Sequence, residues 1–211
     1  MLDRHHPPLG GIVQTRLIGV EKEVIIAPDR PTVLIGERIN PTGRKRLAEA
    51  LKRAELGLLE QEARSQASEG ADVIDVNVGV TGLDEKAILP QAVRLAAQAT
   101  GLPISVDTAR VEALEAALKV CPGKPLVNSV SGEESSLQRV LPLVKEYGAA
   151  VIGLAMDEEG IPGAPERRLE IAEKILAHAV TQGISQEDVI IDPLALSVGA
   201  DQRAALVTAS S

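Results

Sequence analysis

From residue 32 onward, short apolar runs rich in β-branched residues alternate with longer stretches whose apolar positions recur at helical spacing. The runs are "TVLIG", "DVIDVNV", "PISVD", "PLVNS", "AAVIGLA" and "VIIDP". None alternates strictly between apolar and polar, so each is predicted to be a strand covered on both faces, as strands of parallel sheets are. Between them, Val111, Leu114 and Leu118 form one helical stripe, and Leu137, Val140, Leu141 and Val144 form another. The second stripe follows Ser131 and Glu134 in capping-box register. Gly70, Gly101, Gly148 and Gly183 stand where these helices should end. Upstream, "IVQTRLIGVEKEVIIA" holds two β-prone runs around a polar turn at Gly19 to Glu23, the pattern of a hairpin.

The chain therefore divides into residues 1–31, a Pro/Gly-rich leader followed by the hairpin, and residues 32–211, a series of six strand–helix units. Regular alternation of this kind predicts an α/β fold with a parallel sheet and right-handed crossovers. A doubly wound open sheet and a TIM (β/α)8-type barrel both fit that pattern. No glycine-rich dinucleotide fingerprint follows the first strand, which removes the main argument for the open sheet.

Polar residues at the strand ends favour the barrel. Glu37 and Asn40 follow the first main strand, Asp75 and Asn77 lie in the second, and Asp107 closes the third. Asn128 closes the fourth, Met156 and Asp157 follow the fifth, and Asp192 closes the sixth. In a parallel barrel these positions converge on the C-terminal mouth, where active sites are built. The competing role is helix N-capping, for which Asp107 before "TARVEALEAAL" is a natural candidate. Asp107, Asn128 and Asp192 together suit a flat heterocycle rich in N–H donors and ring nitrogens, such as a pyrimidinone with an exocyclic amine.

Other chemistries fit poorly. Ser129 and Ser131 have no histidine placed to act as a base, since His5 and His6 belong to the leader and His178 reads as a solvated surface residue. Asp157, Glu158 and Glu159 read as a wet acidic loop rather than a metal site. Tyr147 is the sole aromatic residue and the net charge is −8, which argues against nucleic-acid binding. Cys121 is alone, and no apolar run approaches the ~18 residues of a membrane helix, so a cytoplasmic location is expected. "GRKR" at Gly43 to Arg46 puts cations in a first helical turn, where the dipole favours anions. Either a solvated helix start or a landing site for an anionic ligand tail accounts for it.

Read in order, "GERINPTG", "GADVIDVNVG", "PISVDTARVEALEAAL", "VNSVSGEE", "GAAVIGLAMDEEGIP" and "IIDPLALSVG" resemble the pterin-binding barrel family over about residues 32–205. The resemblance is strongest to its methyltetrahydrofolate methyltransferases: the methyltetrahydrofolate:corrinoid methyltransferases and the folate domain of cobalamin-dependent methionine synthase. It implies that Asp107, Asn128 and Asp192 bind the pterin of 5-methyltetrahydrofolate, with Asp107 and Asn128 serving catalysis. Met156 is implied to pack near the ring, and Glu37, Asn40 and Asn77 to line the mouth. The implied reaction moves the N5 methyl group to the Co(I) of a cobalamin-type corrinoid carried by a partner protein, with no metal bound by this chain and a homodimeric assembly. Dihydropteroate synthase, another branch, carries a Ser-Thr-Arg segment after its second strand where this chain has "DVNVGVTGLD".

A barrel has eight units in about 250 residues, and six are visible here. The chain is accordingly expected to lack the last two βα units, to expose its edge strands, and to be poorly soluble or inactive unless a partner covers the gap.

Overall fold

The computed structural model describes residues 13–194. An antiparallel hairpin, β1 (Thr15–Ile18) and β2 (Glu23–Ile26), precedes six parallel strands. These are β3 (Ile35–Ile39), β4 (Val73–Asn77), β5 (Ile104–Asp107), β6 (Leu126–Ser131), β7 (Ala150–Leu154) and β8 (Val189–Asp192). Two helices, α1 (Lys45–Lys52) and α2 (Gly57–Ser68), link β3 to β4. The later crossovers carry one α-helix each: α3 (Glu85–Thr100), α4 (Val111–Leu118), α5 (Glu134–Glu146) and α6 (Pro165–Thr181), the last followed by a 3-10 turn at Gln186–Asp188. The leader over residues 1–11 and the helix expected after "IIDPLALSVG" lie outside the described residues.

The strand order is strictly sequential, β3-β4-β5-β6-β7-β8. A doubly wound sheet would reverse its order at a switch point; a sequential parallel wall with outer helices is barrel architecture. The side chains of Ile74, Val76, Ile104, Val106, Val127 and Val151 join the helices in the main core. Alternate residues face the other way: Val73, Leu126 and Ala150 meet Leu17 of the hairpin, with Val24, Ile26, Ile35, Ile152 and Ile190 around them. The hairpin is thus the floor of the barrel and closes its N-terminal end. That leaves the C-terminal mouth for chemistry.

Backbone bonds hold the floor in place. Ile18 and Lys124 exchange hydrogen bonds of 3.0 and 2.9 Å, and Glu21 and Lys22 both donate to Gly101 O. Thr15 Oγ1 donates to Glu187 O at 2.5 Å. Gly123 sits at φ +73°, and a Cβ there would overlap the carbonyl of Ile18. Gly123→Ala is therefore expected to lift the hairpin off the barrel. The cost should be about 2 kcal/mol or more from the left-handed backbone and the clash together. For a chain of this size that lowers the unfolding midpoint by roughly 4–8 °C in a thermal melt.

Several local expectations hold, and others change. Gly70, Gly101, Gly148 and Gly183 all adopt positive φ at or just beyond helix ends. Leu137, Val140, Leu141 and Val144 are all buried. The capping box does not form: the N-cap of α5 is Glu133, because Ser131 is still in β6, where its N–H donates to Ser136 Oγ. Burial on both faces holds for most of β4 and β5 but not for the edges, where β3 and β8 are largely half-exposed or exposed.

Candidate functional site

In a parallel sheet, laterally paired residues project to the same face, so register decides which strand-end groups meet. Asn77 pairs with Asp107, and Asp107 with Asn128. The three side chains therefore form a row across β4, β5 and β6 on the barrel's interior face. Asn77 Nδ2 donates to Asp107 Oδ2 at 2.8 Å, while its Oδ1 accepts from Gly79 N–H at 2.7 Å. Gly79 thereby sets the amide orientation, and Asn77 delivers a donor to Asp107.

One step deeper lie Asp75 and Ser105, also paired in register. Asp75 is 1% exposed. Its Oδ1 accepts from Ser105 Oγ at 2.6 Å and from Asn128 Nδ2 at 3.1 Å, and its Oδ2 has no partner among the described residues. Burial pushes the Asp75 carboxyl up to about 6; the Ser105 and Asn128 bonds pull it down, and the charges of Asp107 and Glu37 add to the rise. Asp107 is also raised, first by burial and further by Glu37 and Glu85, against the Asn77 bond. Glu85 stands behind Asp107, where it accepts from Thr108 Oγ1 at 2.8 Å and pairs with Arg110 at 2.9 Å.

The N-cap role proposed for Asp107 is not realised. Helix α4 starts after Arg110, whose N–H is met by Thr108 Oγ1, so Asp107 is left to the mouth. A cleft of about 380 Å³ opens beside it, lined by Asp107, Asn128, Ser131, Arg139, Leu154 and Met156 among others.

Asp192 stands apart from the row. It pairs with Leu154, which pairs with Ser131, so it lies two strands from Asn128 and further toward the mouth. Two strand spacings amount to about 10 Å, the width of a bicyclic ring with its hydrogen bonds. No bond joins Asp192 to Asp107 or Asn128; its Oδ1 accepts from Leu194 N–H at 2.7 Å. Arg168, 2% exposed, secures that loop. Its Nη1 donates to Pro193 O at 2.6 Å and Leu194 O at 3.1 Å, and its Nε donates to Pro162 O at 2.9 Å in the loop after β7. Leu194 is held at φ +60° between these contacts.

Glu37 is exposed on the concave side, close enough to act on both Asp75 and Asp107. Asn40 spends its Oδ1 on Thr42 N–H, shaping the loop after β3. Arg44 is bound to Glu62 and to the Arg38 carbonyl, so of the "GRKR" cations it is withdrawn while Lys45 and Arg46 stay exposed. Asp157 departs from the expected wet loop. It is 6% exposed, pairs with Arg167 at 2.7 Å and organises the turn to Gly160. His178 is half-buried in the last turn of α6, at the opposite end from the mouth. Among the described residues no group of three or more His, Cys, Asp or Glu is arranged to hold a metal ion, and no helix is long and apolar enough to cross a membrane.

The sequence places Asp75 among the strand-end polar residues without a role in the site, and it does not mark Ser105 or Arg168. The signal for the first two was present. "DVN" and "SVD" place Asp75 with Asn77, and Ser105 with Asp107, at i and i+2 on one strand face.

Residues 36–209 match the pterin binding enzyme family. The chain belongs to that family. Methionine synthase of Mycobacterium tuberculosis is 31% identical over 182 residues, covering 83% of this chain and 15% of that protein. Methionine synthase of Mycobacterium leprae is 31% identical over 180 residues, covering 82% of the chain and 15% of that protein. The chain thus spans about 15% of the length of these curated relatives. Among solved structures, Xanthomonas albilineans dihydropteroate synthase, in complex with indole-2-carboxylic acid and 6-chloroguanine, aligns with a TM-score of 0.60 at 22% identity, over 90% of this chain and 70% of that one. The Yersinia pestis enzyme, with a pterine–sulfa conjugate, gives a TM-score of 0.59 at 18% identity, over 90% and 69%. At such identities the likeness establishes the barrel fold, and the reaction is a separate question.

Proposed function

We infer that this pterin-binding enzyme transfers the N5 methyl group of 5-methyltetrahydrofolate to the Co(I) of a corrinoid held by a partner protein. The observation that carries this reading is the acceptor-rich row at the mouth. Among the described residues Asp107 Oδ1 and the Asn128 amide oxygen accept no hydrogen bond, while Asp107 Oδ2 accepts from Asn77 and the Asn128 nitrogen is spent on Asp75. Those two oxygens, with Asp192 across the opening, suit the N–H edge of a pterin. The resemblance to the methionine synthases favours a methyl donor of the folate class. Lys45 and Arg46 would meet the anionic tail of that folate.

The chemistry asks two things of these residues. The carbon–nitrogen bond to N5 breaks with its electron pair left on nitrogen, while the acceptor's Co(I) supplies the pair for the new bond. Nitrogen must therefore take a proton, since an amine anion is a poor leaving group. A mouth containing Glu37, Asp75 and Asp107, with Glu85 behind, has a negative field that favours the protonated amine. Asp107, its carboxyl already raised, is suited to hold a proton near the ring. Orientation of the ring by the row supplies the remaining help. A homodimer is part of this reading and is testable by sedimentation.

Dihydropteroate synthase activity is the second reading, favoured by the fold neighbours, and a pterin-binding module without turnover is the third. Binding of 5-methyltetrahydrofolate in calorimetry, with its demethylation when cob(I)alamin is supplied, supports the first reading. Formation of dihydropteroate from a pterin pyrophosphate and 4-aminobenzoate, without demethylation, would replace the first reading by the second. Binding with neither reaction would leave the module.

A further inference from the structure

A buried carboxyl beneath the mouth has no evident structural need. Asp75 sits among apolar strands with Glu37 on one side and Asp107 on the other, and Glu85 lies behind Asp107. Ser105 and Asn128 share its Oδ1, and Oδ2 goes without a partner among the described residues. Burying a charge beside like charges is unfavourable, and an apolar residue of similar volume would usually serve a barrel wall as well or better.

We propose that Asp75 is a positioning residue that acts through Asn128, holding the amide nitrogen toward the barrel interior so that the amide oxygen faces a bound ring. This rests on the pterin-site reading above. An amide is two-faced, and exchanging its ends turns an acceptor into a donor pair. Asp75 Oδ1 is the partner that fixes Asn128. With that hold lost, Asn128 can present N–H groups to the N–H edge of the ligand, which is repulsive.

Asp75 holds the amide best when ionised, because a charge-assisted bond is the stronger one. Burial pushes its carboxyl up to about 6, so the hold is at full strength above that pH and weakens as pH falls through it. Glu37 and Asp107 are the charged groups that act on it, both of like sign, with Glu85 behind Asp107; removing Glu37 or Asp107 would lower the titration point. Removing Ser105 Oγ, which favours the ionised form, would raise it.

The test is affinity for 5-methyltetrahydrofolate from pH 5 to 8 in wild type, Asp75→Asn and Ser105→Ala. Wild type should show a step near pH 6. Asp75→Asn should bind about tenfold more weakly at pH 7.5 and lose that step, while any step due to Asp107 persists. Ser105→Ala should keep a step displaced to higher pH, a shift that a purely structural role would not produce. Thermal melts provide the fold control. A carboxyl raised by burial weakens the fold when ionised, so Asp75→Asn should melt no lower than wild type at pH 7.5, and any gain should vanish by pH 4. Unchanged affinity and an unchanged step in Asp75→Asn overturn the proposal. If that variant does not fold, an unmoved step in Ser105→Ala overturns it and an upward move supports it. Absence of binding by wild type at every pH overturns the pterin-site reading itself, and the proposal with it.

Discussion

Asp107→Ala is expected to weaken binding of 5-methyltetrahydrofolate by roughly a hundredfold while leaving the melting temperature within a few degrees of wild type. A hydrogen bond to an ionised group contributes about 1.5–3 kcal/mol, or one to two powers of ten in affinity. Removing the side chain also strands the Asn77 amide, whose donor is aimed at Asp107 by the bond from Gly79. Asp107 is only partly buried at the rim of the cleft, so water can fill the space and the fold is spared. Asp107→Asn separates charge from shape. It should lose about tenfold in affinity and proportionally more in methyl transfer, because an amide cannot hold the proton that the departing nitrogen needs. Titration calorimetry and single-turnover demethylation measure the two effects. An Asp107→Ala protein that binds within twofold of wild type would remove the row from the site.

Arg168→Met should cause the larger loss of stability. The guanidinium is buried and donates to the carbonyls of Pro162, Pro193 and Leu194. Methionine fills part of the volume but donates nothing, and each abandoned carbonyl costs about 1–3 kcal/mol if water does not reach it. A loss of about 3–5 kcal/mol corresponds to roughly 10 °C in the unfolding midpoint. Arg168→Lys should recover only a minority of it, because one ammonium cannot serve loops on both sides as the guanidinium fork does. The loop after β8 carries Asp192, and Leu194 is held in left-handed backbone beside it. Pterin affinity should therefore fall in Arg168→Met even at temperatures where the protein remains folded. A melt unchanged within two degrees would contradict the clamp.

These two residues differ in how visible they were beforehand. Asp107 ends an apolar run, and a carboxylate at the tip of a buried parallel strand stands out from its own neighbours. Arg168 sits early in α6 among Glu166, Arg167 and Glu170, where an arginine ordinarily faces water. Nothing local marks it as buried. Its partners lie in two loops, the farther one 26 residues away, and they come together only because β7 and β8 are neighbours. Asp157 is hidden for a similar reason: beside Glu158 and Glu159, which do face water, it reads as solvated, yet Arg167 on α6 folds back against it.

What the sequence determined alone was what depends on adjacent residues. Strands follow from short β-branched runs, helix ends from glycines whose missing Cβ permits positive φ, and the hairpin from two such runs around a polar turn. The face shared by Asp75 and Asn77, or by Ser105 and Asp107, follows from a period of two. Tertiary structure alone decided lateral register, and with it the bonds from Asn77 to Asp107 and from Asn128 to Asp75. It also decided that the hairpin seals the floor and that Arg168 is interior. Hydrogen bonds act over about 3 Å, and no pattern along one strand says which residue of the next strand will lie within that reach.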